Sequence, residues 1–95
     1  MPIINVSFQV LPNVAEGDLY RVVDKAIEVV QQSGVPYEVG PMETTMEGEL
    51  DELIEIVKKA QQACLEAGSN RVITLIKIDN AVQGVTMAEK TSKYR

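Results

Sequence analysis

The chain contains no histidine, no tryptophan and a single cysteine, Cys64; its only aromatic residues are Phe8, Tyr20, Tyr37 and Tyr94. Without histidine, the side chain that most often serves as general base or transition-metal ligand at neutral pH is missing. One cysteine excludes an intrachain disulfide. Basic residues are the minority, 9 against 14 acidic ones, for a net charge of -5. Nucleic acid is therefore excluded as a partner, because phosphate contacts need a basic face. No apolar run approaches the roughly 20 residues of a membrane-spanning helix. The opening Met-Pro-Ile-Ile-Asn-Val-Ser has neither the basic region nor the long apolar stretch of a secretory signal. These absences predict a soluble, cytoplasmic protein with no membrane partner.

What is present suits one small globular domain: 95 residues, 45% apolar and 24% charged, with a core that is real but thin. Residues 3–11 alternate, with Ile4, Val6, Phe8 and Val10 on one side and Asn5, Ser7 and Gln9 on the other, as a half-buried strand does. Pro12-Asn13 breaks it. Leu19, Val22, Val23, Ala26, Ile27 and Val30 then recur at helical spacing, and Gly34 is placed to end that helix in a left-handed conformation. A second helix begins after Gly48, with Leu50, Leu53, Ile54, Val57, Ala60 and Cys64 as its stripe, an expected Glu55–Lys59 pair on its surface, and Gly68 as its stop. On that stripe Cys64 reads as a small buried hydrophobe rather than a nucleophile. Residues 71–79 form a last strand that is apolar on most of both sides. In an otherwise one-sided sheet, such a strand predicts that the open face is covered by another subunit.

Between the helices lies the most distinctive stretch, Val35 to Glu49. From Glu38 to Glu55 the chain carries seven acidic residues and no basic one. Gly40-Pro41 supplies a turn between a short strand, Tyr37–Val39, and a return strand, Glu43–Glu47. Strand phase sends Met46 toward the helices and Glu43, Thr45 and Glu47 to the opposite face, beside Asn5, Ser7 and Gln9. Glu49, Asp51 and Glu52 crowd the first turn of the second helix, where the macrodipole favours anions. The order strand-helix-strand-strand-helix-strand predicts an α+β, ferredoxin-like βαββαβ sandwich over residues 1–80: four antiparallel strands in the order 4-1-3-2 with both helices on one face. Residues 81–95 form a tail of charge +2, and Thr86-Met-Ala-Glu89 is a capping box for a short helix.

This inventory points away from catalysis. No base–nucleophile pair is evident, and none of Ser7, Ser33, Ser69 and Ser92 sits in a nucleophile elbow. The loop after the first strand has no arginine to hold a phosphate, and the sheet lacks the aromatic residues on which this fold's RNA binders stack bases. Glu43, Glu47, Glu49 and Asp51 could offer oxygen ligands to a divalent cation, but their spacing matches no known loop, so neither metal nor cofactor is expected. A neutral polar floor flanked by carboxylates suits a small cationic ligand with a hydrogen-bonding ring. The bland alternative is an assembly module whose open face serves only self-association.

The run Ser33-Gly-Val-Pro-Tyr-Glu-Val-Gly-Pro-Met-Glu-Thr-Thr-Met-Glu-Gly-Glu49 resembles the signature of the small thiamine-binding protein family (the YkoF-type superfamily), whose form is Ser-Gly-x-x-Tyr-x-x-Gly-Pro-Met-x-Thr-x-x-Glu-Gly. The first strand running into a proline and the last strand ending in Lys77-Ile-Asp79 are also similar. The resemblance covers about residues 3–80. It implies a ferredoxin-like subunit that forms dimers or tetramers by packing sheets and binds thiamine or its hydroxymethylpyrimidine moiety without catalysis, as a carrier or sensor. Thr45, Glu47 and Gly48 are the ligand-binding residues carried over from the hairpin run; Ser7, Gln9 and Glu43 join them from strand phase.

Overall fold

The computed structural model describes residues 2–95. Four strands, β1 (Ile4–Pro12), β2 (Tyr37–Val39), β3 (Thr44–Gly48) and β4 (Val72–Asp79), form one antiparallel sheet in the order β2-β3-β1-β4. Helices α1 (Leu19–Ser33) and α2 (Leu50–Glu66) follow β1 and β3. The order is the one expected from the sequence, and each strand lies within about one residue of its expected bounds.

The core forms between the helices and one side of the sheet. Alternation along β1 buries Ile4, Val6, Phe8 and Val10, and β3 adds Met46. Helical spacing brings Val22, Ala26 and Val30 of α1, and Leu53, Val57, Ala60 and Cys64 of α2, onto them. In α2 the buried stripe also takes Ile56, with Ile54 only half-buried, so the helix is rotated slightly from the expected phase. Burial pushes the Cys64 thiol up from its usual range, which leaves it a poor thiolate. On the surface of α2, Glu55 pairs with Lys58 at 3.1 Å rather than with Lys59. Gly34 ends α1 at φ +85°, where a side chain would be strained.

The tail does not trail into solvent. The chain turns after β4, and the Val85 amide donates to the Ile3 carbonyl at 2.9 Å. A short helix α3 (Met87–Thr91) follows, with its capping box formed between Thr86 and Glu89, and lies against the sheet face opposite α1 and α2.

β4 differs from the expectation of one exposed face. Ile73 and Leu75 are 51% and 49% exposed on the open face, and Ile76 and Ile78 are 43% and 49% exposed on the helix side. β4 is an edge strand, and the two helices pack over the middle of the sheet. Its outer rim is therefore uncovered on both sides.

Met46 is fully buried where β3 meets the helices. Met46→Ala should lower unfolding free energy by about 2–5 kcal/mol, measured by urea denaturation; a loss under 1 kcal/mol would mean that the sheet and helices do not meet there.

Candidate functional site

The expected polar face exists, and register aligns it. On the side away from α1 and α2, Glu38, Thr45, Ser7 and Lys77 form one row across all four strands, and Glu47, Asn5 and Asp79 form the next. Ser7 and Thr45 share a hydroxyl hydrogen bond of 2.6 Å. Asn5 is buried and donates to Glu47 Oε1 at 3.4 Å. Lys77 Nζ reaches Glu43 Oε1 at 2.6 Å. A cavity of about 300 Å³ lies over Asn5, Ser7, Glu38, Thr45 and Asp79, walled by α3.

These carboxylates are already partnered by the tail. Lys90 Nζ donates to Asp79 Oδ2 at 2.6 Å and to Asn5 Oδ1 at 2.9 Å. Arg95 meets Glu38 at 2.9 Å, and Glu47 Oε1 accepts the Met87 amide at 2.6 Å. The positive tail and the acidic sheet face thus neutralise one another. A cationic ligand at this face would have to displace Lys90 or Arg95. Each exposed pair contributes only about 0–1 kcal/mol, so the contacts hold the tail jointly rather than singly.

One predicted residue does not join this face. Gly48 stands opposite Ile4 on the helix side, and a Cβ there would lie 3.1 Å from Leu53 Cδ2. Its smallness serves the packing of β3 against the start of α2. Gln9 is on this face, one row beyond Ser7 and opposite Leu75, where β3 has already ended. Among the described residues, no three acidic or cysteine side chains come together to hold a metal ion.

A second cavity, about 350 Å³, opens on the helix side between α1 and the β2–β3 turn. One wall is the unbroken run Val39, Gly40, Pro41, Met42, Glu43 and Thr44; the others come from Phe8 to Leu11 of β1 and from Leu19, Tyr20, Val23 and Ile27 of α1. The walls are mostly apolar. Asp24 and Glu43 are the only charged side chains in the lining, both acidic, and Thr44 contributes a largely buried hydroxyl. Such a groove, apolar with a few polar groups, has the composition and size of a small-molecule site. The turn that builds it is tight: the Gly40 amide donates to the Glu43 carbonyl at 2.9 Å, and a Cβ on Gly40 would meet that oxygen at 2.8 Å. The groove was not among the sequence expectations, although Gln9 and Glu43 of the expected ligand residues fall in its lining. The signal was available, because position by position the threonine of the hairpin pattern falls on Thr44, not on Thr45.

Comparison with known proteins agrees with the hairpin signature. A family profile described as thiamine-binding protein matches residues 6–95. A UPF0045 protein of Clostridium perfringens is 59% identical over 91 residues, spanning 96% of each chain. A solved domain of unknown function, DUF77, from Bacillus cereus is 60% identical with a TM-score of 0.94, covering 99% of this chain and 91% of that one. A Thermotoga maritima structure, described as a candidate thiamine biosynthesis/salvage protein, is 41% identical with a TM-score of 0.91, covering 99% of this chain and 100% of that one. No helix is long and apolar enough to cross a membrane.

Because Glu47 accepts the amide that starts α3, Glu47→Ala should loosen the first turn of α3. Hydrogen exchange at Met87 and Glu89 should quicken by about tenfold or more while global unfolding changes by under about 1 kcal/mol; unchanged protection would show that the tail is held elsewhere.

Proposed function

The chain belongs to the thiamine-binding protein family, and from that premise we propose that it binds thiamine or its hydroxymethylpyrimidine moiety without turnover, as a carrier or sensor in the cytoplasm. The observation that carries this reading is that six successive residues of the hairpin signature, Val39 to Thr44, form one wall of the groove against α1. The ligand site in this reading is that groove rather than the open sheet face. The groove offers apolar walls for two flat rings, a hydroxyl at Thr44, and the carboxylate of Asp24 for a thiazolium cation, Glu43 being held by Lys77. On the open face Asp79 and Glu38 are engaged by Lys90 and Arg95, and a positively charged ligand gains little there. The absence of histidine supports binding without catalysis.

A second reading, self-association, is favoured by β4. Its four isoleucine and leucine side chains are each about half exposed, as befits a strand rim that meets a copy of itself. The two readings are compatible: a dimer or tetramer built on β4 leaves the groove at the opposite end of the strand order.

Thermal melts with thiamine, hydroxymethylpyrimidine and a thiazole alcohol test the first reading. Ligand at 100 times its dissociation constant should stabilise by about 2.7 kcal/mol; no shift from any of the three at millimolar concentration would rule it out. Thr44→Val should weaken binding by roughly tenfold while Thr45→Val leaves it unchanged; the reverse ranking would move the site to the open face. For the second reading, sedimentation should give a dimer or tetramer that Ile73→Lys with Leu75→Lys converts to monomer; a wild-type monomer at tens of micromolar would exclude it.

A further inference from the structure

The groove exists because β1 is longer than its partner on one side. β4 pairs with β1 from Asn5 to Pro12, whereas β3 pairs with it only from Ile4 to Phe8. The residue that would stand opposite Val10 is Met42, two before Thr44, but Met42 belongs to the Gly40–Glu43 turn and lies outside the strand. No β3 residue faces Val10.

The direction of the Val10 backbone follows from alternation in an antiparallel ladder, where successive residues aim their N–H and C=O groups at opposite neighbours. The Asn13 amide donates to Arg71, on the β4 side. Leu11 and Gln9 therefore aim at β4, and Val10, between them, aims at the β3 side. The other end of the sheet gives the same phase. The Glu47 amide donates to Pro36 on the β2 side, so Thr44, Met46 and Gly48 aim at Phe8, Val6 and Ile4. Continuing that series, Val10 presents both its N–H and its C=O to the space that β3 has left, and Val10 lines the groove.

We propose that the Val10 N–H and C=O form the strip that reads the ligand's heterocycle, by pairing with the ring nitrogen and adjacent exocyclic amine of an aminopyrimidine. The inference rests on the reading of the groove as the ligand site and adds the specificity. An adjacent donor and acceptor on one strand edge are complementary to an adjacent acceptor and donor on one ring edge. A buried strand group left without a partner is costly, and a planar ring supplies what the missing β3 residue would. The gap, Gln9–Leu11, spans about 10 Å at 3.3 Å per residue. That is too short for an added strand and long enough for a single ring. Thr44 at one end and the apolar side chains of α1 over the top hold the ring in the plane of the sheet. A heterocycle with the 4-amino group replaced by a 4-oxo group reverses the pattern and sets N–H against N–H.

Three measurements test this. Calorimetry should show thiamine binding at least 10- to 100-fold more tightly than its 4-oxo analogue. In the wild-type protein, the Val10 amide proton should move downfield and its exchange slow by about tenfold or more with saturating hydroxymethylpyrimidine. A backbone ester at Val10, which removes the N–H and leaves the Val10 carbonyl an amide, should weaken thiamine by roughly tenfold. Equal binding of the amino and 4-oxo compounds, or a Val10 amide that stays unperturbed while the pyrimidine binds, would overturn the backbone strip and leave thiamine binding standing. Failure of every pyrimidine to bind would remove the functional reading itself, and the strip with it.

Discussion

β1 is shared by two partners of unequal length, and most of the molecule follows from that mismatch. Its inner face of Ile4, Val6, Phe8 and Val10 supplies the floor of the core. Its two edges bind β3 for five residues and β4 for eight. Had the β2–β3 turn come two residues earlier in the chain, β3 would have extended alongside Val10 and closed the sheet. Gly40-Pro41 fixes the turn where it is: proline presets the backbone of the turn, and glycine lets the Glu43 carbonyl approach closer than any side chain would permit. The cavity is thus a consequence of where one strand stops, and the helix α1 merely roofs it.

The opposite face follows a different logic. Neighbouring strands align Glu38, Glu47 and Asp79 with Ser7, Thr45 and Asn5, and so concentrate negative charge on one side of a sheet whose other side is apolar. The last residues of the chain carry the compensating charge. Lys90 serves both Asp79 and the buried Asn5, and Arg95 serves Glu38. The buried Asn5 amide is satisfied at both ends by this arrangement, as a buried polar group requires.

The fold was legible in the sequence because each element carried a strong period. The alternation of residues 3–11 and the helical spacing of Leu19 to Val30 leave little choice of element, and glycines at positions 34 and 68 mark the ends. Strand phase also put Asn5, Ser7, Thr45 and Glu47 on one face, where the register joins Ser7 to Thr45 and Asn5 to Glu47. What escaped depends on relations between distant parts. Gly48 was carried over from the hairpin run as a ligand residue, although the parity that puts Met46 inward puts Gly48 inward too. The tail's destination could not be read from residues 81–95 alone, since its partners lie on β1, β2, β3 and β4. The groove was hidden for a similar reason: it comes from the difference between two pairing lengths, and neither length is written in a local pattern. Its wall from Val39 to Thr44 was visible in advance, in the hairpin signature itself.

The contact between Lys90 and Asn5 joins residues 85 positions apart, nearly the two ends of the chain. Its acceptor sits on the first strand made, and the carboxylate beside it, Asp79, is set in place only when the last strand pairs. Closing so long a loop becomes favourable only after the intervening segments are ordered. Docking of α3 at this site therefore requires β1 and β4 to be paired. The tail thus binds a site that exists only in the assembled sheet, and its contacts report that all four strands are in place.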